Sequence, residues 1–98
     1  VSLPNLQLIA FGDLTGVVYD FARRDDILPL HKHEREDVHI TIIGRGSFEV
    51  YGPPNTEWKV VAVTGQILDW EIGQWHEFKA LEDNSRLINV HKYPNNKP

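Results

Sequence analysis

The chain has no cysteine and no methionine among its 98 residues. Without cysteine there is no disulfide framework, the usual staple of small secreted domains. There is also no thiolate to hold a soft metal. No apolar run approaches the roughly 20 residues that a membrane-spanning helix needs. A basic excess is missing too: ten Lys and Arg stand against fourteen Asp and Glu, a net charge of -4. That argues against a nucleic-acid partner, which calls for a clustered basic face. The one basic pair, Arg23-Arg24, is neutralised at once by Asp25-Asp26. The stretch Val1-Ser2-Leu3-Pro4-Asn5 lacks the basic patch and apolar core of a signal peptide. These absences give the expectation of a cytoplasmic protein that meets neither membrane nor nucleic acid. Low-complexity segments and internal repeats are absent as well.

What is present has a period of two. Leu6 to Phe11 and Thr15 to Phe21 read as strands, the second rich in β-branched and aromatic residues. Arg23 to Asp26 is a polar connection. Leu28 to His33 and Asp37 to Ile43 follow as strands, with Glu34-Arg35-Glu36 as a charged turn between them. Gly44-Arg45-Gly46 reads as a turn, because glycine admits positive φ. Ser47 to Tyr51 and Trp58 to Val63 flank a loop with two prolines, which cannot donate to a ladder. Gln66 to Trp70, Gln74 to Lys79 and Arg86 to Tyr93 complete eight or nine short strands. Turn signals recur throughout and no segment has a helical period. The expected class is all-β, a sandwich or closed barrel in one domain. Its expected parts are N-terminal strands over 1–22, a barrel over 28–93 and a polar tail over 94–98.

From Asp37 the strand carries Asp37, His39 and Thr41 on one face and Val38, Ile40 and Ile42 on the other. If the polar face looks into the barrel, the apolar face needs a cover. The N-terminal strand or a second subunit would supply it, and a homodimer is the expectation.

Leu30 to His39 places three histidines and three carboxylates in ten residues. Histidines two apart on a strand point to the same side, so His31 and His33 form a two-pronged nitrogen site. Asp37 shares their parity if the turn inserts no bulge. Two imidazoles with a carboxylate suit a divalent first-row ion, and non-haem iron oxygenases use this set. His76 becomes a fourth ligand if its strand lies opposite. Iron, manganese, zinc, nickel and cobalt all accept such ligands.

His31-x-His33-x3-Asp37-x6-Gly44 resembles the first cupin motif, spread over 31–46. Gly65-x5-Glu71-x-Gly73-x2-His76-x3-Ala80 is similar to the second, G-x5-P-x-G-x2-H-x3-N, over 65–80. Three positions depart from the pattern: Asp37 stands for the usual Glu, Glu71 for proline and Ala80 for asparagine. The resemblance implies a double-stranded β-helix of jelly-roll type. It also implies one metal held by His31, His33, Asp37 and His76.

Around that ion, His39 is a fifth metal contact, the candidate catalytic base or a packed inner-face residue. Gln74 and Phe78 share parity with His76 and are candidate ligand contacts. Phe48 joins them by position. Arg86 or Asn89, on the last strand, is placed to orient an anionic or hydroxylated ligand. Trp58, Trp70 and Trp75 read as packing, with Trp75 facing away from the metal, and His91 as a structural or surface residue. The expected function is metal-dependent chemistry of dioxygenase, isomerase or lyase type on a small polar molecule, such as a sugar or organic acid. The alternative is a binding or sensor module with a structural metal.

Overall fold

The computed structural model describes residues 2–11, 14–31, 38–52, 59–71 and 73–92; for residues 11, 30, 31, 38 and 59 it describes the backbone alone. Nine strands run through them: β1 Asn5–Phe11, β2 Leu14–Phe21, β3 Ile27–His31, β4 Val38–Arg45, β5 Ser47–Tyr51, β6 Lys59–Val63, β7 Ile67–Asp69, β8 His76–Ala80 and β9 Ser85–Lys92. They form two antiparallel sheets, a five-stranded one in the order β1-β2-β9-β4-β7 and a four-stranded one in the order β3-β8-β5-β6. The all-β jelly-roll expectation therefore stands.

Alternation decides what each sheet turns inward. On β4, His39, Thr41 and Ile43 are buried, whereas Ile40 and Ile42 are half-buried on the other face. On β9, Ser85, Leu87, Asn89 and His91 form the inner row. The inner rows meet those of the second sheet over an apolar centre of Phe21, Ile43, Phe48, Val50, Phe78 and Leu87, all fully buried. Phe21 and Phe48 meet edge to face with centroids 4.9 Å apart, and Phe48 meets Phe78 the same way at 6.3 Å. Offset or edge-on contacts of this kind suit the ring quadrupole.

Two local irregularities differ from the simple alternation. Gly44 and Arg45 belong to β4 and not to a turn, and the β4–β9 register shifts between Ile43 and Arg45. The reversal is made at Gly46, whose φ is +80°. There a Cβ would stand 2.9 Å from Ser85 Cβ and closer still to its Oγ, so only glycine fits. The second irregularity lies in β3. Leu28 pairs with Phe78 and His31 with His76, so three steps along β3 match two along β8. One extra residue is inserted around Pro29, which has no N–H to give the ladder and is tolerated at a bulge.

Candidate metal centre

His76 opens β8 with its side chain fully buried. Its Nδ1–H donates to the Gln74 carbonyl at 3.0 Å. A carbonyl oxygen can only accept, so Nδ1 carries the proton and Nε2 is the basic nitrogen of the neutral ring. This is the tautomer and the backbone anchor that metal-ligating histidines characteristically have. The ring is held from several sides. Trp70 stacks on it with centroids 4.5 Å apart and planes 21° from parallel. His39 lies 5.0 Å away and Phe78 5.8 Å away, centroid to centroid.

The β3–β8 register sets His31 directly opposite His76. The two halves of the proposed ligand set are thus neighbours across one strand pair, although 45 positions separate them in the chain (76 minus 31). The bulge at Pro29 produces this pairing. His33 and Asp37 lie outside the described residues. Among the described residues no group of three or more His, Cys, Asp or Glu is arranged to hold a metal ion.

His39 is buried, 4% exposed, and faces the interior as its parity requires. It pairs in register with His91, and the two rings stack at 4.6 Å and 28°. His91 is 5% exposed, so its expected surface alternative does not hold. The sequence marks it only by sharing parity with Leu87 and Asn89. Trp70 is the other residue that sequence reasoning undervalued. Besides stacking on His76, it donates Nε1–H to Thr41 Oγ1 at 2.9 Å, and Thr41 donates to Asn89 Oδ1 at 2.5 Å.

The remaining candidates separate clearly. Phe78 touches the His76 ring. Phe48 is fully buried between Phe21 and Phe78 and belongs to the apolar centre, one layer away from the histidines. Gln74 contributes its backbone carbonyl to His76, while its side chain turns back to accept the Glu71 N–H at 3.0 Å. Arg86 does not reach the interior. It sits on the opposite face of β9 from Asn89 and grips Asp20 with Nε at 2.6 Å and Nη2 at 3.2 Å. That two-point bond raises the Arg86 pKa above its already high value. The physical reason for the correction is parity: positions 86 and 89 are three apart and so face opposite sides of one strand. Trp75 is 36% exposed, in line with a ring turned away from His76.

No protein-family model matches the chain, and no curated protein does. Solved structures do match. The KdgF structure from Halomonas sp. is 24% identical, with a TM-score of 0.74, over 92% of this chain and 80% of that one. An RmlC-like cupin protein from Desulfovibrio desulfuricans is 21% identical, with a TM-score of 0.75, over 91% and 82%. A structure concerned with the Mn(II) centres of Bacillus subtilis oxalate decarboxylase is 18% identical, with a TM-score of 0.71, over 87% of this chain and 22% of that one. At such identities the shared property is the architecture. Two antiparallel sheets in this strand order, with these neighbours, make the chain a barrel of the cupin fold.

Proposed function

We propose that the barrel holds one divalent transition metal through His31, His33, Asp37 and His76 and acts on a small polar molecule, an organic acid or sugar, as a metal-dependent enzyme. The observation that carries this reading is the His76 ring. Its proton is fixed on Nδ1 by the Gln74 carbonyl, and its basic Nε2 is buried in the barrel. The pairing of His31 with His76 supports it. So does the likeness to oxalate decarboxylase, a protein with Mn(II) centres whose name states action on a small organic acid. When bound, such an ion supplies Lewis acidity toward a carbonyl or carboxylate oxygen. The chain's own residues would do the rest. Trp70 and Phe78 hold His76 in place and exclude water from its flank, and His39 stands beside it as the group to move a proton. The alternative reading is a binding module that captures the same class of molecule without turnover.

The test is metal content after purification without added metal, followed by thermal melts with and without chelator. Near-stoichiometric metal and a fall in melting temperature on chelation are expected. No bound metal, no uptake on soaking and no effect of chelator would end the reading. Incubating the loaded protein with oxalate and with a sugar acid then divides the two alternatives. Consumption beyond one molecule per chain means an enzyme; saturable capture without consumption means a binding module.

We also propose that the protein works as a homodimer through the outer face of the five-stranded sheet. Val18, Ile88, Ile42 and Ile67 lie in one row there, ending in Gln7 on β1, and Ile9, Gly16, Val90 and Ile40 in the next, ending in Asp69 on β7; Val18 and Val90 are buried within the chain itself, whereas Ile67 is open to solvent. Asp20, Arg86 and Arg45 edge the patch at one end and Lys92 at the other. A patch that meets its own copy about a two-fold axis is the commonest form of assembly. Light scattering after size exclusion should give twice the chain mass, and Ile67→Glu, at a position 62% exposed, should give the single-chain mass. A monomeric wild type would refute the interface.

A further inference from the structure

Asn89 holds an amide whose two ends have different fates. The side chain is 1% exposed. Its Oδ1 accepts the Thr41 hydroxyl at 2.5 Å, while Nδ2 is buried without a hydrogen-bond partner among the described residues. The orientation of the amide follows from its neighbours. An indole N–H only donates, so Thr41 Oγ1 accepts from Trp70 Nε1 at 2.9 Å and has its own hydrogen to pass on. A separation of 2.5 Å suits O–H···O and is too short for N–H···O. The carbonyl of Asn89 is therefore the end that meets Thr41, and the NH2 group is the end left to the interior.

Its position gives that donor a purpose. Asn89 pairs with Thr41 across β9 and β4, and the next inward pair along the same strands is His91 with His39. The pair on the other side is Leu87 with Ile43, both fully buried. Asn89 thus occupies the layer between the histidines and the apolar floor. A buried donor left unmade is costly, and folded proteins retain few without a use.

We propose that the Asn89 amide is a ligand subsite, donating from Nδ2 to an acceptor oxygen of the small molecule bound beside the histidines. This rests on the barrel being a small-molecule site and narrows the class of molecule it takes. A carboxylate or carbonyl oxygen is accepted; a group that can only donate has no partner in the amide's NH2, the end left without a bond.

The test observes the Asn89 NH2 signals directly by heteronuclear NMR on isotope-labelled protein, assigned through bonds. Acetate and N-methylacetamide, which accept, should shift these signals saturably. Methylammonium, which only donates, should leave them in place. Asn89→Asp keeps the acceptor for Thr41 and removes the N–H, and should weaken acetate binding about tenfold or more. If acetate binds, as read from the His39 and His91 ring signals, while the Asn89 signals do not move, the amide serves a buried water and the proposal is overturned. It is equally overturned if neither acceptor moves any interior signal. Metal uptake measured on the same sample keeps the two readings apart. Shifted Asn89 signals in a protein that takes up no metal would retain the subsite and reject the metal.

Discussion

The indole of Trp70 lies almost flat on the imidazole of His76, with ring centroids 4.5 Å apart. The same indole reaches Thr41 through Nε1, so one side chain braces the candidate ligand and starts the hydrogen-bond chain that ends at Asn89. Trp70→Phe keeps an aromatic ring beside His76 while removing the donor and part of the buried indole volume. It should cost about 1–3 kcal/mol of stability and leave metal stoichiometry intact. Trp70→Ala removes the brace as well and should cost about 3–5 kcal/mol, with metal affinity falling about tenfold. Chemical denaturation and metal titration of the two variants check this. Equal metal affinity in both would mean that the stack does not position His76.

The ligand set makes a separate prediction. His33→Ala and His76→Ala should each abolish most metal uptake. Imidazole must be neutral to bind, so metal should be released on acidification as protons compete for the ring nitrogens. Metal analysis after dialysis at graded pH reads this out. Retention down to about pH 4, or normal uptake by either variant, would show that the tetrad is wrong.

Gly46 and Gly65 offer a controlled comparison. Both have positive φ, +80° and +92°, so alanine at either is strained by about 1–2 kcal/mol. A Cβ at Gly65 meets nothing within 4 Å, whereas at Gly46 it collides with Ser85. Gly46→Ala should therefore be the more destabilising by at least about 1 kcal/mol. Urea midpoints decide the matter, and equal losses would mean that Ser85 moves aside at no cost.

Tyr51 should titrate late. Its hydroxyl donates to Glu49, and that bond, ahead of burial and the charges of Glu49 and Glu77, pushes its pKa up to about 12. In the unfolded chain the value is about 10. The phenol is thus held protonated by folding. The bond's contribution to stability is complete below about pH 10 and fades as the pH rises through about 12. Ultraviolet titration should show Tyr51 ionising near the higher value, and Glu49→Gln should bring it back toward the ordinary one. An unchanged titration in that variant would remove Glu49 as the cause.

Much of the architecture is legible in the residues because two of its determinants are local. Strand alternation assigns His39 and Thr41 to the inside and Ile40 and Ile42 to the outside, and the β4 burial pattern agrees. Turn chemistry is equally local, and Gly46, Gly65 and Gly73 all have positive φ. What depends on register is not local. His91 becomes interior through its pairing with His39, and His31 meets His76 only because β3 carries an extra residue. No periodicity announces that insertion, although Pro29 in mid-strand is its trace. Trp70 shows the same limit from another side. Its ring could be recognised as packing, but what it packs against is a property of the assembled sheets. Arg86 is the avoidable error, since counting three steps from Asn89 already sends it outward.

The place of β9 carries a consequence for how the chain acquires its shape. It follows every other described strand in the chain, yet it lies between β2 and β4 at the middle of the five-stranded sheet. A chain emerging from the ribosome exposes its N-terminal segments first. Until Ser85 to Lys92 has emerged, β2 and β4 lack the neighbour they share, and the row that faces His39 and Thr41 does not exist. The interior can then close only after synthesis has passed His91, so a nascent chain halted before β9 would have neither a finished sheet nor the inner row that faces His39 and Thr41.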